Sequence, residues 1–428
     1  MKSARLRLLL LTFVVAFSLR ATLAAVFVGL SAPPDEGSTV DQVEYENNAY
    51  NLSQGLGYVT SIGHPTAYRP PGTSFMIAPI YVAFGRSFFA ARIGFCILSA
   101  LTCVVLYLVG EQLWDWRIGA VAAFWLTFYP GHFYHAMHFM SETPYTLFLA
   151  IGLGLSLASL RRGSDALGVV AGLIWGFSAL IRPQAIFIVP FVLPALALNS
   201  SGQRSTYARL IAIQVVVAVA VIGPWVVRNR VVMGKAVLGS TAGVTFWGAH
   251  NDVVYEDPAL AGGWVRPLAL FDDNHRFSGD EFEQDAQAWR YGIAWVKANP
   301  SRMPWLYFKK VTRLITPFTL TENRAVFWAY AISWGVTGPL ALLGLIVAFR
   351  RDQLAATVLA LPLMGILLNC MIFYSNSRFR DSVSPSFVLF AAIGFLALID
   401  APRRLRGETT PGLAEDLHPL DRVAHAEP

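Results

Sequence analysis

Long apolar runs alternate with short polar breaks along most of the chain. The runs fall at roughly 8–30, 88–110, 117–136, 143–160, 165–181, 184–198, 208–227, 326–348, 354–374 and 382–399. About 20 apolar residues suffice to cross a bilayer core as a helix. The pattern therefore predicts an all-α, polytopic membrane protein with about ten transmembrane helices. The runs at 165–181 and 184–198 are short and parted only by Arg182-Pro183, which predicts a tight helical hairpin. The stretch 72–85 is apolar but too short to span, and is expected as an outer juxtamembrane helix. The first run follows Lys2, Arg5 and Arg7 and is too long for a signal-peptide core, so it reads as an uncleaved first helix. Arg20 lies inside it. A lone arginine at that depth either faces protein or a water-filled cavity, or snorkels to the outer headgroups.

Polar breaks set the orientation. With the N-terminus inside, the inner segments are Lys2–Arg7, Glu111–Arg117, Arg161-Arg162, Arg204–Arg209, Arg350-Arg351 and Arg403–Arg406. Each carries Lys or Arg, as the positive-inside rule expects. Both termini are then cytoplasmic. Residues 1–400 read as one membrane domain, with an outer loop at 31–87 and an outer cap loop at 228–325. Residues 401–428 read as a disordered cytoplasmic tail. The cap loop contains a helical pattern from about Gly279 to Lys297. It also holds Lys309, Lys310 and Arg313, a stretch suited to anionic lipid headgroups.

Composition narrows the class. Of 428 residues, 55% are hydrophobic and 14% charged, against about 25% charged in soluble domains. The net charge of +6 is accounted for by topology. No basic run is interleaved with aromatics, so nucleic acid is not an expected partner. Cys96, Cys103 and Cys370 all fall in apolar runs. Three cysteines without a CxxC pattern argue against disulfides and thiolate metal sites, and read as small buried hydrophobes.

The unusual polar residues collect on the outer side: Asp41, Glu44, His64, Arg69, Glu142, Arg182, Asn251, Arg378 and Arg380. Asp41 precedes a short amphipathic helix carrying Tyr45, Ala49 and Leu52. Glu142 follows Ser141, a candidate cap for the fourth span, and would lie in that helix's first turn. Arg69 precedes Pro70-Pro71, which stiffen the backbone, and Arg182 precedes Pro183. A guanidinium held so is suited to grip a phosphate. Each of these has a plainer reading: a solvated loop acid for Asp41, a surface acid for Glu44, a dipole-stabilising acid for Glu142, and snorkelling for Arg69 and Arg182. His132, His135 and His138 are spaced by three. Two of them could ligate a metal with Glu142, or all three are interfacial histidines packed on aromatics.

An ionisable cluster at one interface suits an enzyme working where a lipid headgroup meets water. A transporter or flippase of a lipid-linked saccharide is the alternative. It calls for inverted repeats and polar residues at mid-depth, where Arg20 alone stands out. A non-catalytic scaffold would not need four such residues on one face.

In order, the chain has an outer Asp41-x-x-x-Tyr45, Thr66-Ala-Tyr68-Arg69-Pro-Pro-Gly72, Ser141-Glu142, Leu180-Ile-Arg182-Pro183, Pro224-Trp225-Val-Val-Arg228-Asn229 and Ser377-Arg378-Phe379-Arg380. This set resembles the GT-C glycosyltransferases, specifically the bacterial glycosyltransferase family 39 type, over about Leu8 to Ile399. That group is related to protein O-mannosyltransferases and to the lipid A aminoarabinose transferase. The resemblance implies an inverting hexosyl or pentosyl transferase in a bacterial inner membrane, working on the periplasmic face. It implies a polyprenyl-phosphate sugar donor and a lipid, glycan or protein acceptor. By resemblance Asp41 is the catalytic carboxylate and Glu142 a second catalytic acid. Arg69, Arg182 and Arg378 would bind the donor phosphate. Glu44, Tyr45, Tyr68, His64, His138, Asn251 and Arg380 are further substrate-contact candidates. No cofactor is required; Asp41 and Glu142 allow a divalent metal without requiring one. The chain departs from many relatives in having Asp41-Gln42 instead of Asp-Glu, with Asp35-Glu36 upstream, which leaves the carboxylate's alignment slightly open.

Overall fold

The structure is a computed structural model, and it describes residues 2–35, 40–198, 203–272, 275–318 and 324–405. Glu36 and most of the expected tail, 406–428, lie outside the described residues. All described regular structure is helical apart from one isolated bridge, Val59 to Pro65.

The chain opens with α1 (Lys2–Phe27), α2 (Val40–Ser53), α3 (Gly72–Phe84), α4 (Phe88–Glu111), α5 (Trp116–Phe128) and α6 (Pro130–Ala136). Then come α7 (Glu142–Arg162), α8 (Asp165–Ile181), a 3-10 turn at Pro183–Ile188, α9 (Val189–Leu198) and α10 (Arg204–Met233). The expected cap segment holds α11 (Ala242–Ala249), α12 (Asp252–Glu256), α13 (Glu281–Ala298) and α14 (Met303–Ile315). Last are α15 (Arg324–Arg351), α16 (Gln353–Ile372), α17 (Ser377–Ser382) and α18 (Ser384–Leu405).

Among the described residues, seven helices are long and apolar enough to cross a membrane: α1, α4, α7, α10, α15, α16 and α18. The expected count of ten is not reached by length. The run 117–136 breaks at Tyr129-Pro130 into α5 and α6, because the residue before a proline is pushed out of the helical region. The run 165–181 forms the 17-residue α8, and 184–198 starts as a 3-10 turn before α9.

Small residues let the helices approach. A Cβ on Gly344 of α15 would lie 1.7 Å from the Phe390 carbonyl oxygen of α18, so that contact requires glycine. The main core runs through α4, α5, α7, α16 and α18, with Leu106, Leu126, Leu149, Leu359 and Phe390 buried in it. Arg20 faces protein. Its guanidinium donates to Ser99 Oγ at 2.7 Å and to the Ala16 and Thr127 carbonyls at 3.0 and 3.2 Å. The last of these lies at the C-terminal end of α5, where carbonyls lack helical partners.

The segment between α2 and α3 is clamped from both sides. Tyr58 packs edge-on against Trp225 of α10, and Arg228 donates to the Tyr58 and Thr66 carbonyls at 2.7 and 2.8 Å. From the cap, Glu281 at the start of α13 accepts from Thr66 Oγ1 and the Ala67 amide, both at 2.8 Å, and from Ser240 Oγ at 3.0 Å. At Gly72 a Cβ would come within 2.6 Å of the Ile181 amide. That absence of a side chain lets Arg69-Pro70-Pro71 close onto the end of α8, beside Arg182.

Candidate active site

Asp41 lies in the first turn of α2, and Glu44 three residues on shares its face. Arg69, held on the clamped segment, reaches both. Its Nη2 donates to Asp41 Oδ1 at 2.7 Å and its Nε to Glu44. Arg378, in the first turn of α17, donates from Nη2 to Asp41 Oδ2 at 2.7 Å and from Nε to Glu142. Glu142 also forms an ion pair with Arg182, Nη1 to Oε1 at 2.6 Å. The result is an alternating line, Glu44–Arg69–Asp41–Arg378–Glu142–Arg182, drawn from distant parts of the chain. Its three acids and three arginines cancel in formal charge.

The line runs from wet to dry. Glu44 and Asp41 keep 32% and 22% of their side-chain surface, whereas Glu142 keeps 1%. Solutes can thus reach the Asp41 end from water. Burial works to raise the Asp41 carboxyl, but Arg378 and Arg69 outweigh it and hold it down at about 2. At Glu44 burial prevails over Arg69 and the carboxyl is raised.

Arg182 is fixed further by Ser141 Oγ at 2.8 Å and Gln184 Oε1 at 3.2 Å, and Gln184 in turn donates to Ser382 Oγ at 2.9 Å. Ser141 does not cap α7 as its sequence position suggests. It has helical dihedrals and makes no cap hydrogen bond, so its hydroxyl is left to serve Arg182.

The other sequence candidates are spread more widely. Tyr45 is buried in α2, and its carbonyl accepts from Ser74. The Tyr68 ring lies under the Arg69 guanidinium at 5.2 Å. His64 is exposed in a turn closed by the Thr60 amide donating to the His64 carbonyl. His138 packs on Tyr134 at 5.1 Å. Asn251 is buried and caps α12, accepting from the Val254 amide at 2.9 Å and donating to the Trp247 carbonyl at 2.8 Å. Arg380 is buried, over the Trp334 ring at 4.2 Å, and donates to the Thr316 carbonyl at 2.7 Å.

Sequence reasoning missed a buried group next to Arg380. Tyr129 donates to Asp381 Oδ1 at 2.8 Å, and His135 Nε2 stands 4.0 Å from Asp381 Oδ2. Gly131 makes room, since a Cβ there would fall 2.3 Å from Asp381 Cγ. Burial raises the Asp381 carboxyl to about 6 despite Arg380 beside it. The available signal was an acid directly following two outer arginines. His132, by contrast, is bonded to Ser99 Oγ at 3.0 Å, so the three histidines serve separate neighbours. Among the described residues no three His, Cys, Asp or Glu side chains are grouped to hold a metal. Asp41 and Glu142 face guanidinium groups instead of each other, and that pairing does not fit a divalent ion between them.

A family model described as dolichyl-phosphate-mannose-protein mannosyltransferase matches residues 68–227. The chain is structurally similar to the archaeal oligosaccharyltransferase AglB from Archaeoglobus fulgidus, solved with an inhibitory peptide and a dolichol-phosphate. That likeness has a TM-score of 0.58 at 14% identity, covering 99% of this chain and 53% of the other. The Archaeoglobus fulgidus oligosaccharyltransferase tethered to an acceptor peptide gives 0.58 at 15% identity with the same coverage. ArnT from Cupriavidus metallidurans, bound to undecaprenyl phosphate, aligns with 93% of this chain and 81% of its own at 15% identity, with a TM-score of 0.44. No curated protein sequence matches significantly. The chain spans about half the length of the archaeal enzyme, 53%. The fold is similar to that of the archaeal oligosaccharyltransferase, in line with the GT-C-like architecture that the sequence resemblance implied.

Proposed function

We propose that this GT-C-fold chain is an inverting glycosyltransferase. It moves a sugar from a polyprenyl-phosphate donor to a hydroxyl acceptor at the outer membrane face. The observation that carries this reading is the Glu44–Arg69–Asp41–Arg378–Glu142–Arg182 line at the ends of the spans. It supplies a partly exposed carboxylate flanked by guanidinium groups, which is what transfer from a lipid phosphate to a hydroxyl needs. The family match and the dolichol-phosphate in the archaeal relative support the donor class.

In the proposed step the acceptor oxygen attacks the anomeric carbon opposite the phosphate. The bond from that carbon to the phosphate oxygen breaks, and its electron pair leaves on the polyprenyl phosphate. Asp41 takes the acceptor's proton as general base. The phosphate is already a good leaving group and needs charge stabilisation more than a proton. Arg69 and Arg378 supply it, with Arg182 behind them. Glu142 holds Arg378 and Arg182 in register from its dry site.

Asp41→Asn is expected to lower transfer by at least about 10³-fold while the protein inserts and purifies normally. The assay follows release of free polyprenyl phosphate from a polyprenyl-phosphate sugar. Near-normal turnover in that variant would remove Asp41 from the base role. A transporter of the same lipid would release no free phosphate in any variant.

A further inference from the structure

Both oxygens of Asp41 are occupied: Oδ1 by Arg69 and Oδ2 by Arg378, each at 2.7 Å. Each guanidinium holds the carboxylate as its charged partner and so weakens it as a base. The arginines are equally committed. Arg69 spends Nε and Nη2, the fork edge suited to bidentate capture of one anion, on two different carboxylates, Glu44 and Asp41; Arg378 sets that edge on Glu142, Nε on Oε1 and Nη2 on Oε2 at 3.4 Å, and shares Nη2 with Asp41. At Arg69 the split forgoes the parallel pairing that a single phosphate could make. The site is thus already filled with anions of its own, and it is neutral.

Resting on the glycosyltransferase reading, we infer that the carboxylates of Asp41 and Glu44 stand in for the donor phosphate on Arg69 and Arg378. Donor entry is an anion exchange that frees Asp41 to act as base. The exchange moves no covalent bond. The phosphodiester's negative charge takes the guanidinium nitrogens that Asp41 and Glu44 give up, and Asp41 keeps its own charge with its partners withdrawn. That surplus of negative charge draws a proton from the next hydroxyl to arrive. The donor therefore binds first, and the base is weak until it does. Glu44, at the wet end of the line, is the acid most easily displaced. Glu142, with its side chain almost fully buried and held by Arg182 as well, stays and keeps Arg378 aimed.

The sign of one measurement separates this exchange from a site where acids help hold the ligand. Undecaprenyl phosphate, the product-like lipid, is titrated in micelles against wild type, Asp41→Asn and Glu44→Gln. Removing a competing anion should tighten binding by about tenfold in each variant. Glu44→Gln guards against a folding defect in Asp41→Asn, because Glu44 is the most exposed member of the line. Isotope-edited infrared difference spectra of wild type should show a carboxylate band shifting on lipid addition, and that band should vanish in Asp41→Asn. If wild type binds the lipid but both variants bind equally or more weakly, or no carboxylate band moves, the exchange is wrong and the transferase reading stands. If neither wild type nor the variants bind the lipid, the transferase reading itself fails.

Discussion

Lys310 has no exposed surface, and its Nζ donates to the Met371 carbonyl at 3.0 Å. Its second partner is His250 Nε2 at 2.9 Å, while His250 Nδ1 stands 2.8 Å from the Phe246 carbonyl. A carbonyl only accepts, so Nδ1 carries the proton and Nε2 accepts from Lys310. Burial lowers the ammonium to about 7, and burial with Lys310 lowers His250 to about 3. The Lys310 value lies below that of an unfolded lysine, so between about pH 7 and pH 10 the unfolded chain binds more protons. Stability from this residue therefore rises with pH across that window, while His250 stays neutral throughout. The thermal midpoint of wild type relative to Lys310→Met should be lower at pH 7.5 than at pH 9.5; a pH-independent difference would show that Lys310 does not titrate there. The sequence places Lys309, Lys310 and Arg313 together as headgroup contacts, which the structure corrects for the fully buried Lys310. Neighbours on a helix point about 100° apart, so Lys309 and Lys310 cannot share a face. Lys309 lies over the Trp305 ring, and Arg313 donates to the Ala261 carbonyl at 3.2 Å. The phase was legible in Leu306, Lys310 and Leu314, spaced by four, but a lysine inside an apolar stripe reads first as an interruption.

Among the elements, α14 and α13 divide the work of the cap. α14 turns Trp305, Phe308 and Ile315 outward, with 46%, 57% and 55% exposed. Trp328 and Ile332 of α15 are exposed as well, and an amphipathic helix with such an outward apolar face suits a membrane interface. α13 faces the other way and latches the cap to the Arg69 segment through Glu281. The helix itself was readable from periodicity between Gly279 and Lys297. The latch was not, because Glu281 looks like any first-turn acid until Thr66 and Ala67 are brought to it across the fold. Glu281→Ala leaves the Thr66 hydroxyl and Ala67 amide without their acceptor and should cost about 2 kcal/mol. The lost order should appear as faster proteolysis of the segment between α2 and α3, together with a donor KM raised several-fold and a smaller change in kcat. Unchanged proteolysis would mean that Arg228 alone holds the segment.

The molecule as a whole brings its charged line together only at one end of the helices. Asp41, Arg69, Glu142, Arg182 and Arg378 were each legible because a polar residue at the end of an apolar run has few reasons to be there. Their pairing was not legible. Arg378 lies 337 positions from Asp41 and 236 from Glu142, and nothing local to any of them names its partner. Sidedness is the assumption that joined them, and it makes a direct prediction. The three native cysteines are buried, so they give little background to a membrane-impermeant maleimide. His64 is exposed in the segment carrying the line, and Arg209 is exposed near the start of α10, paired with Asp165 at 3.2 Å. α10 runs 30 residues from Arg204 to Met233, about 45 Å at 1.5 Å per residue, more than a bilayer core. The two positions must then lie on opposite faces. In intact cells His64→Cys should label from outside, and Arg209→Cys only after the membrane is permeabilised. The reverse pattern would put the active site in the cytoplasm, where a basic inner surface and an outer-facing α14 could not both hold.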